Sequence, residues 1–136
     1  MAYVFKIAAR VSLTVCIGRT ERNEGRGSES LLGPERLSRP ACTSSIVFCG
    51  DFNAIPVSLP YRNVLQRFQD VQRVLKNHRP RDTFFGRFSM IRIDHIFVDP
   101  RLEVGDAEVP KTALTRVAPD HLPLVAELRI PSTEID

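Results

Sequence analysis

Ser45-Ile46-Val47-Phe48-Cys49-Gly50-Asp51-Phe52-Asn53 is an apolar run closed by a glycine, an acid and an amide. The run predicts a buried β-strand that delivers Asp51 and Asn53 side by side at its carboxyl end. The two residues are two apart, so where extended geometry persists their side chains leave on the same face. A carboxylate only accepts hydrogen bonds, whereas an amide also donates. The acid can therefore orient a water or hold a metal, while the amide bonds a phosphoryl oxygen. Gly, Asp and Asn are also ordinary turn residues, and a polar turn after a strand is the plain alternative.

Two later stretches share this layout. Residues 92–98 read Arg-Ile-Asp-His-Ile-Phe-Val, and residues 119–123 read Pro-Asp-His-Leu-Pro. Gly50-Asp51-Phe52-Asn53, Ile93-Asp94-His95 and Asp120-His121 thus occur in order, each beside a strand-like segment. Supporting text surrounds them: Asn53-Ala54-Ile55-Pro56, Thr83-Phe84, and His121-Leu122-Pro123-Leu124. From about residue 45 to residue 130 the chain resembles the second half of the endonuclease/exonuclease/phosphatase superfamily of metal-dependent phosphoesterases.

That resemblance implies an α/β fold, here a partial four-layer α/β sandwich corresponding to the C-terminal half of the family domain. It implies that Asp51 orients or activates the attacking water and that Asn53 stabilises developing charge on phosphorus. It further implies that His121 contacts the reacting phosphate while paired with Asp94, and that Asp120 is a metal-associated acid. Asp51, Asn53 and Asp120 are then the ligands of Mg²⁺ or Mn²⁺. An acid bonded to an imidazole nitrogen fixes its tautomer and raises its basicity, so the Asp94–His121 pair makes physical sense independently of the family.

Composition bounds the rest. A chain of 136 residues makes one small domain. Hydrophobic residues at 43% with 26% charged describe a soluble globular protein. The net charge of +3, from 19 basic and 16 acidic residues, tolerates a polyanionic substrate without demanding one. Cys16, Cys42 and Cys49 are odd in number and widely spaced, which argues against a disulfide framework or structural zinc and fits a reducing, cytoplasmic setting. The first 18 residues are too short and too interrupted by Lys6 and Arg10 for a membrane span or a signal peptide. Val11, Leu13 and Val15 alternate with polar residues instead, as in a strand.

Arg19 to Ser30 contain no apolar residue and predict a solvated or mobile loop. Leu31-Leu32-Gly33-Pro34 is a candidate helix end. Tyr61, Val64, Leu65, Phe68, Val71, Val74 and Leu75 carry helical spacing, as one bent helix or two short ones, with Pro60 suited to a first turn. Strands are predicted at about 91–98, 102–104 and 123–130, the last with Leu124, Ala126, Leu128 and Ile130 on one face. The domain division that results is an altered N-terminal strand and flexible loop (1–44), the phosphoesterase-like half (45–132), and a tail (133–136).

Several residues carry bland readings. His95 alternates away from Asp94 and reads as packing, and His78 reads as a loop surface residue. Arg79, Arg81, Arg87 and Arg92 read as a solvated basic loop, with a phosphate-facing patch as the alternative. Asp99 and Asp106 read as turn residues.

The departures from the family pattern shape the functional reading. The first half of the family domain supplies an Asn and a Glu, typically after Gln, as main Mg²⁺ ligand. This chain has no Gln-Glu dipeptide. Cys16 falls where the family tends to carry a His, and Pro119 replaces a common Ser. The resulting expectation is a Mg²⁺-dependent phosphodiesterase or nuclease-like hydrolase with weakly held metal and impaired turnover. Its substrate is a phosphoester, nucleic acid among the candidates. A half-sandwich leaves a sheet face open, so self-association or a covering partner is expected. The alternative is a catalytically inactive truncated relative acting only as an interaction module. A basic nucleic-acid-binding module is poorly supported, since the chain has no Trp, two Tyr and no aromatic-interleaved basic stretch.

Overall fold

The computed structural model describes residues 3–7, 13–19, 45–85, 90–111 and 120–131, with side chains described from residue 45 onward. In chain order the elements are β1 (Tyr3–Ile7), β2 (Leu13–Arg19), β3 (Ser45–Asp51), α1 (Leu59–Leu65), β4 (Gln69–Asp70), α2 (Val71–Val74), β5 (Phe84–Phe85), β6 (Met90–Ile91), β7 (Asp94–Val98), β8 (Glu103–Glu108) and β9 (Leu124–Arg129). The class is α/β, with mixed sheets. One sheet has the order β2-β3-β7-β4, another β1-β9-β8, and β5-β6 form a small ribbon. β2 runs parallel to β3, and β1 parallel to β9, so the first 19 residues contribute a strand to each larger sheet. The predicted loop at 19–30 and the candidate helix end at 31–34 lie outside the described residues.

Strand alternation divides the core in two. Val47 and Cys49 of β3, with Ile96 and Val98 of β7, meet Ala107, Leu124, Ala126 and Leu128 of the other sheet in one continuous apolar cluster. That cluster fills the space between the facing sheets. The intervening residues Phe48 and Phe97 point the other way, against Phe52, Tyr61, Val64 and Phe68. Helix α1 therefore covers the outer face of the β3–β7 sheet. Pro60 lies in its first turn, where a missing N–H costs nothing. On β9, Val125 and Glu127 are half-buried and Arg129 exposed, whereas Leu124, Ala126 and Leu128 are buried. No helix among the described residues covers that outer face, and none is long and apolar enough to cross a membrane.

The helical spacing at 61–75 resolves as two short helices. Asp70 ends the first pattern by pairing in β4, then caps α2 by accepting the Gln72 backbone N–H at 2.9 Å. Gln72 is fully buried. Its side-chain oxygen accepts the Arg81 N–H at 2.7 Å and its amide donates to the Arg81 carbonyl at 3.2 Å, tying down the loop after α2. Asp99 does sit in a turn, bound by the Arg101 backbone and guanidinium. Asp106 does not: it lies within β8, beside an irregularity in the pairing with β9.

Arg92 requires a correction. It is neither a solvated loop residue nor part of a phosphate-facing patch, for its side chain is only 6% exposed. Its guanidinium bonds Asp70 at 2.7 Å and the Tyr61 hydroxyl at 3.1 Å, and the same hydroxyl donates to Asp70. The buried charge is neutralised by a buried acid that three donors surround. Arg79 and Arg81 are exposed, and Arg87 lies outside the described residues.

Candidate active site

Strands β3 and β7 pair antiparallel with Asp51 opposite Asp94. Both acids belong to the face that carries Val47, Cys49, Ile96 and Val98, so they close one end of the inter-sheet core. Asp51 is 8% exposed and Asp94 1%. His121 precedes β9 in the facing sheet. Its Nδ1 lies 2.9 Å from Asp94 Oδ2, and its ring keeps 21% exposure. Ligand atoms of Asp51, Asp94 and His121 all fall within 4.8 Å of one another.

The surroundings hold this arrangement in place. The Asp94 backbone N–H donates to Thr83 Oγ1 at 3.1 Å. The Thr83 carbonyl accepts the Leu122 N–H at 2.7 Å, and the Asp120 carbonyl accepts the Phe85 N–H at 2.8 Å, so residues 83–85 brace both sides of His121. The Phe84 ring meets the His121 ring edge-on at 5.0 Å. Burial pushes the Asp94 acid up. Hydrogen bonds from His121 and Thr83 pull it down, and the charge of Asp51 pushes it up further. Thr83 and Phe84 were visible in the sequence only as text flanking the Asp94 motif. Their bracing of His121 depends on a chain crossing that no local spacing encodes.

Asn53 departs from the same-face expectation. The extended geometry on which that expectation depended ends before it, since Asn53 has φ 46°. Asn tolerates this left-handed region better than most residues. Its N–H turns back to Asp51 Oδ1 at 2.9 Å, and Asn53 is exposed beside the acid. Asp120 is also exposed, and stands outside the Asp51–Asp94–His121 group. His95 packs on the opposite face of β7, fully buried among Phe52, Tyr61 and Phe97. His78 is half-buried, its Nε2 lying 3.3 Å from the Gln72 side-chain oxygen.

Two mixed sheets sharing one core, with two acids and an imidazole converging at strand ends, define an α/β protein with a polar site at the edge of that core. The sequence profile of the Endonuclease/Exonuclease/phosphatase family matches residues 7–126, and the chain belongs to that family. No curated protein matches the chain. Among solved structures it is similar to a functionally unknown conserved protein from Enterococcus faecalis, with TM-score 0.71 and 22% identity, covering 86% of this chain and 50% of that one. It is similar to a mannosyl-6-phosphatase from Bacteroides thetaiotaomicron, with TM-score 0.61 and 22% identity over 75% of this chain and 44% of that one. The human Nocturnin catalytic domain, solved with a bound sulfate anion, gives TM-score 0.61 and 20% identity over 86% of this chain and 46% of that one. The chain thus spans half or less of the length of these relatives.

Proposed function

We propose that the chain is a Mg²⁺-dependent phosphodiesterase or nuclease-like hydrolase whose turnover, with its own residues alone, is weak. The observation that carries this reading is the 2.9 Å Asp94–His121 bond with Asp51 in the same group. In this reading Asp94 holds the imidazole of His121 in one orientation, so that its other ring nitrogen meets the reacting phosphate. Asp51 orients the attacking water, and Asn53, exposed beside it, donates to a phosphoryl oxygen.

The donors suit a hard divalent cation: neighbouring carboxylates, with Asp51 pushing the Asp94 acid up, are relieved by positive charge. Asp51 and the neighbouring Asn53 would hold Mg²⁺ or Mn²⁺; Asp120, which the family resemblance adds as a third ligand, stands outside the Asp51–Asp94–His121 group. When bound, the ion supplies neutralisation of phosphoryl charge. Carboxylates fix such ions, and no Gln-Glu dipeptide adds another here, so the ion is held weakly.

The test is hydrolysis of an aryl phosphodiester and of single-stranded or abasic DNA with Mg²⁺, Mn²⁺ or chelator. Slow, metal-dependent turnover is expected, falling about a hundred-fold in His121→Ala and in Asp51→Ala. Robust turnover would remove the impairment. Turnover indifferent to both substitutions would remove the assignment.

The described sheets are read as part of a four-layer sandwich. The chain is then expected to self-associate, or to take a partner over its open sheet face, and to bind a hydrophobic dye. Light scattering that finds a compact monomer, with no dye bound, counts against that half-domain reading.

A further inference from the structure

His95 was legible as a packing residue, and it does pack, but packing does not explain an imidazole. Tyr61, Phe97 and Phe52 surround it at ring-centre distances of 4.9, 5.3 and 5.9 Å, a box that a phenyl ring would fill. Its Nε2 lies 2.7 Å from the Ala54 carbonyl oxygen. A carbonyl only accepts, so Nε2 carries the proton and Nδ1 is a bare acceptor in the neutral ring. Nothing among the described residues donates to Nδ1. The nearest charge, Asp70 Oδ2 at 3.8 Å, is itself an acceptor already engaged by Arg92 and Tyr61. The imidazole therefore leaves one buried polar atom unsatisfied, which a phenyl ring would not do. What it gains is the bond to Ala54.

That bond falls at a telling place. The segment from Asp51 to Ala54 is held by the Phe52 N–H on the Ile93 carbonyl at 3.0 Å and by the Asn53 N–H on Asp51 Oδ1 at 2.9 Å. The third tie, on the far side of left-handed Asn53, comes from His95. Adjacent residues of β7 thus serve the two halves of the site from opposite faces: Asp94 orients His121, and His95 fixes the path of residues 51–54. We propose that His95 is a positioning residue, whose Nε2–H bond to the Ala54 carbonyl sets the placement of Asn53 and Asp51. Its catalytic consequence rests on the phosphoesterase reading above; its hold on the loop does not.

The experiment is NMR on the ¹³C,¹⁵N-labelled chain, with hydrolysis run in parallel. In the wild type, His95 should show a proton on Nε2, none on Nδ1, and a coupling across the hydrogen bond to the Ala54 carbonyl. Finding the proton on Nδ1 overturns the proposal without any variant. Next, His95→Phe keeps the aromatic packing and loses the donor, whereas His95→Gln keeps a donor and loses the ring. The Asn53 backbone coupling and carbon shifts should report a left-handed residue in wild type and His95→Gln, and an averaged one in His95→Phe. Asn53 unchanged in His95→Phe overturns the proposal. In hydrolysis, kcat should fall about ten- to a hundred-fold in His95→Phe with KM moving less, and His95→Gln should recover most of it. A wild type with no turnover at all, alongside the expected loop result, supports the positioning by His95 and removes the phosphoesterase reading alone.

Discussion

Replacing Arg92 with methionine is expected to destabilise the fold by about 3–5 kcal/mol, the cost of leaving one partner of a buried ion pair behind. The Asp70 side chain is fully buried and accepts from Arg92, from Tyr61 and from the Gln72 backbone. Without the guanidinium, the hydrogen bonds left to its charge among the described residues come from the Tyr61 hydroxyl and the Gln72 backbone N–H. The loss should spread, because Asp70 caps α2 and pairs in β4 while Tyr61 belongs to α1. Chemical denaturation measures the effect, and a cycle with Asp70→Asn identifies its cause. The double variant, lacking both charges, should recover most of the loss. A double variant as unstable as the sum of the single ones would instead assign the effect to packing of the Arg92 stem against the Tyr61 ring, 5.7 Å from the guanidinium carbon.

Acid should weaken the protein through His95. Burial lowers its pKa from the ordinary 6.5 to about 4, against smaller raising contributions from the Ala54 bond and Asp70. Between those values an unfolded chain binds a proton that the folded chain refuses. The stability present above pH 6.5 is therefore lost progressively as pH falls to about 4, by about 3 kcal/mol. Asp94, with its acid raised by burial, acts in the opposite sense as its carboxylate takes up a proton. The informative quantity is thus the difference between wild type and His95→Phe, followed by denaturant midpoint from pH 7 to pH 4. The wild type should lose stability across that window relative to the variant. Parallel profiles would show that the imidazole takes up its proton in the fold as readily as in the unfolded chain.

Asp51 and its strand could be read locally because an apolar run closed by polar residues is a short-range signal. The alternation that set His95 opposite Asp94 was equally local, and β9 carried its burial in the same period-two pattern. Arg92 was misread for the complementary reason. An arginine close to other arginines looks solvated until its acid is known, and Asp70 is 22 residues away with nothing around it to mark it as a buried acid. Tyr61 was placed on an apolar helix face, correctly, but its hydroxyl is what completes the network, 31 residues from Arg92. Asn53 turned on a single dihedral. The left-handed turn after Phe52 removes the face relation that strand spacing implied.

The register that sets Asp51 opposite Asp94 also has a consequence for how the protein can change. Both acids lie on strand faces that elsewhere carry core residues, so slipping either strand by one position would turn its acid and its apolar residues to the wrong side together. Selection for a packed interior therefore preserves the alignment of the acids even where no reaction is being selected. Exposed positions between β3 and β7, such as Val57, Arg79 and Arg81, can by contrast change without altering that alignment, because they belong to neither core cluster. Diversification should accordingly fall on what approaches the acids, while the acids stay in step with the interior.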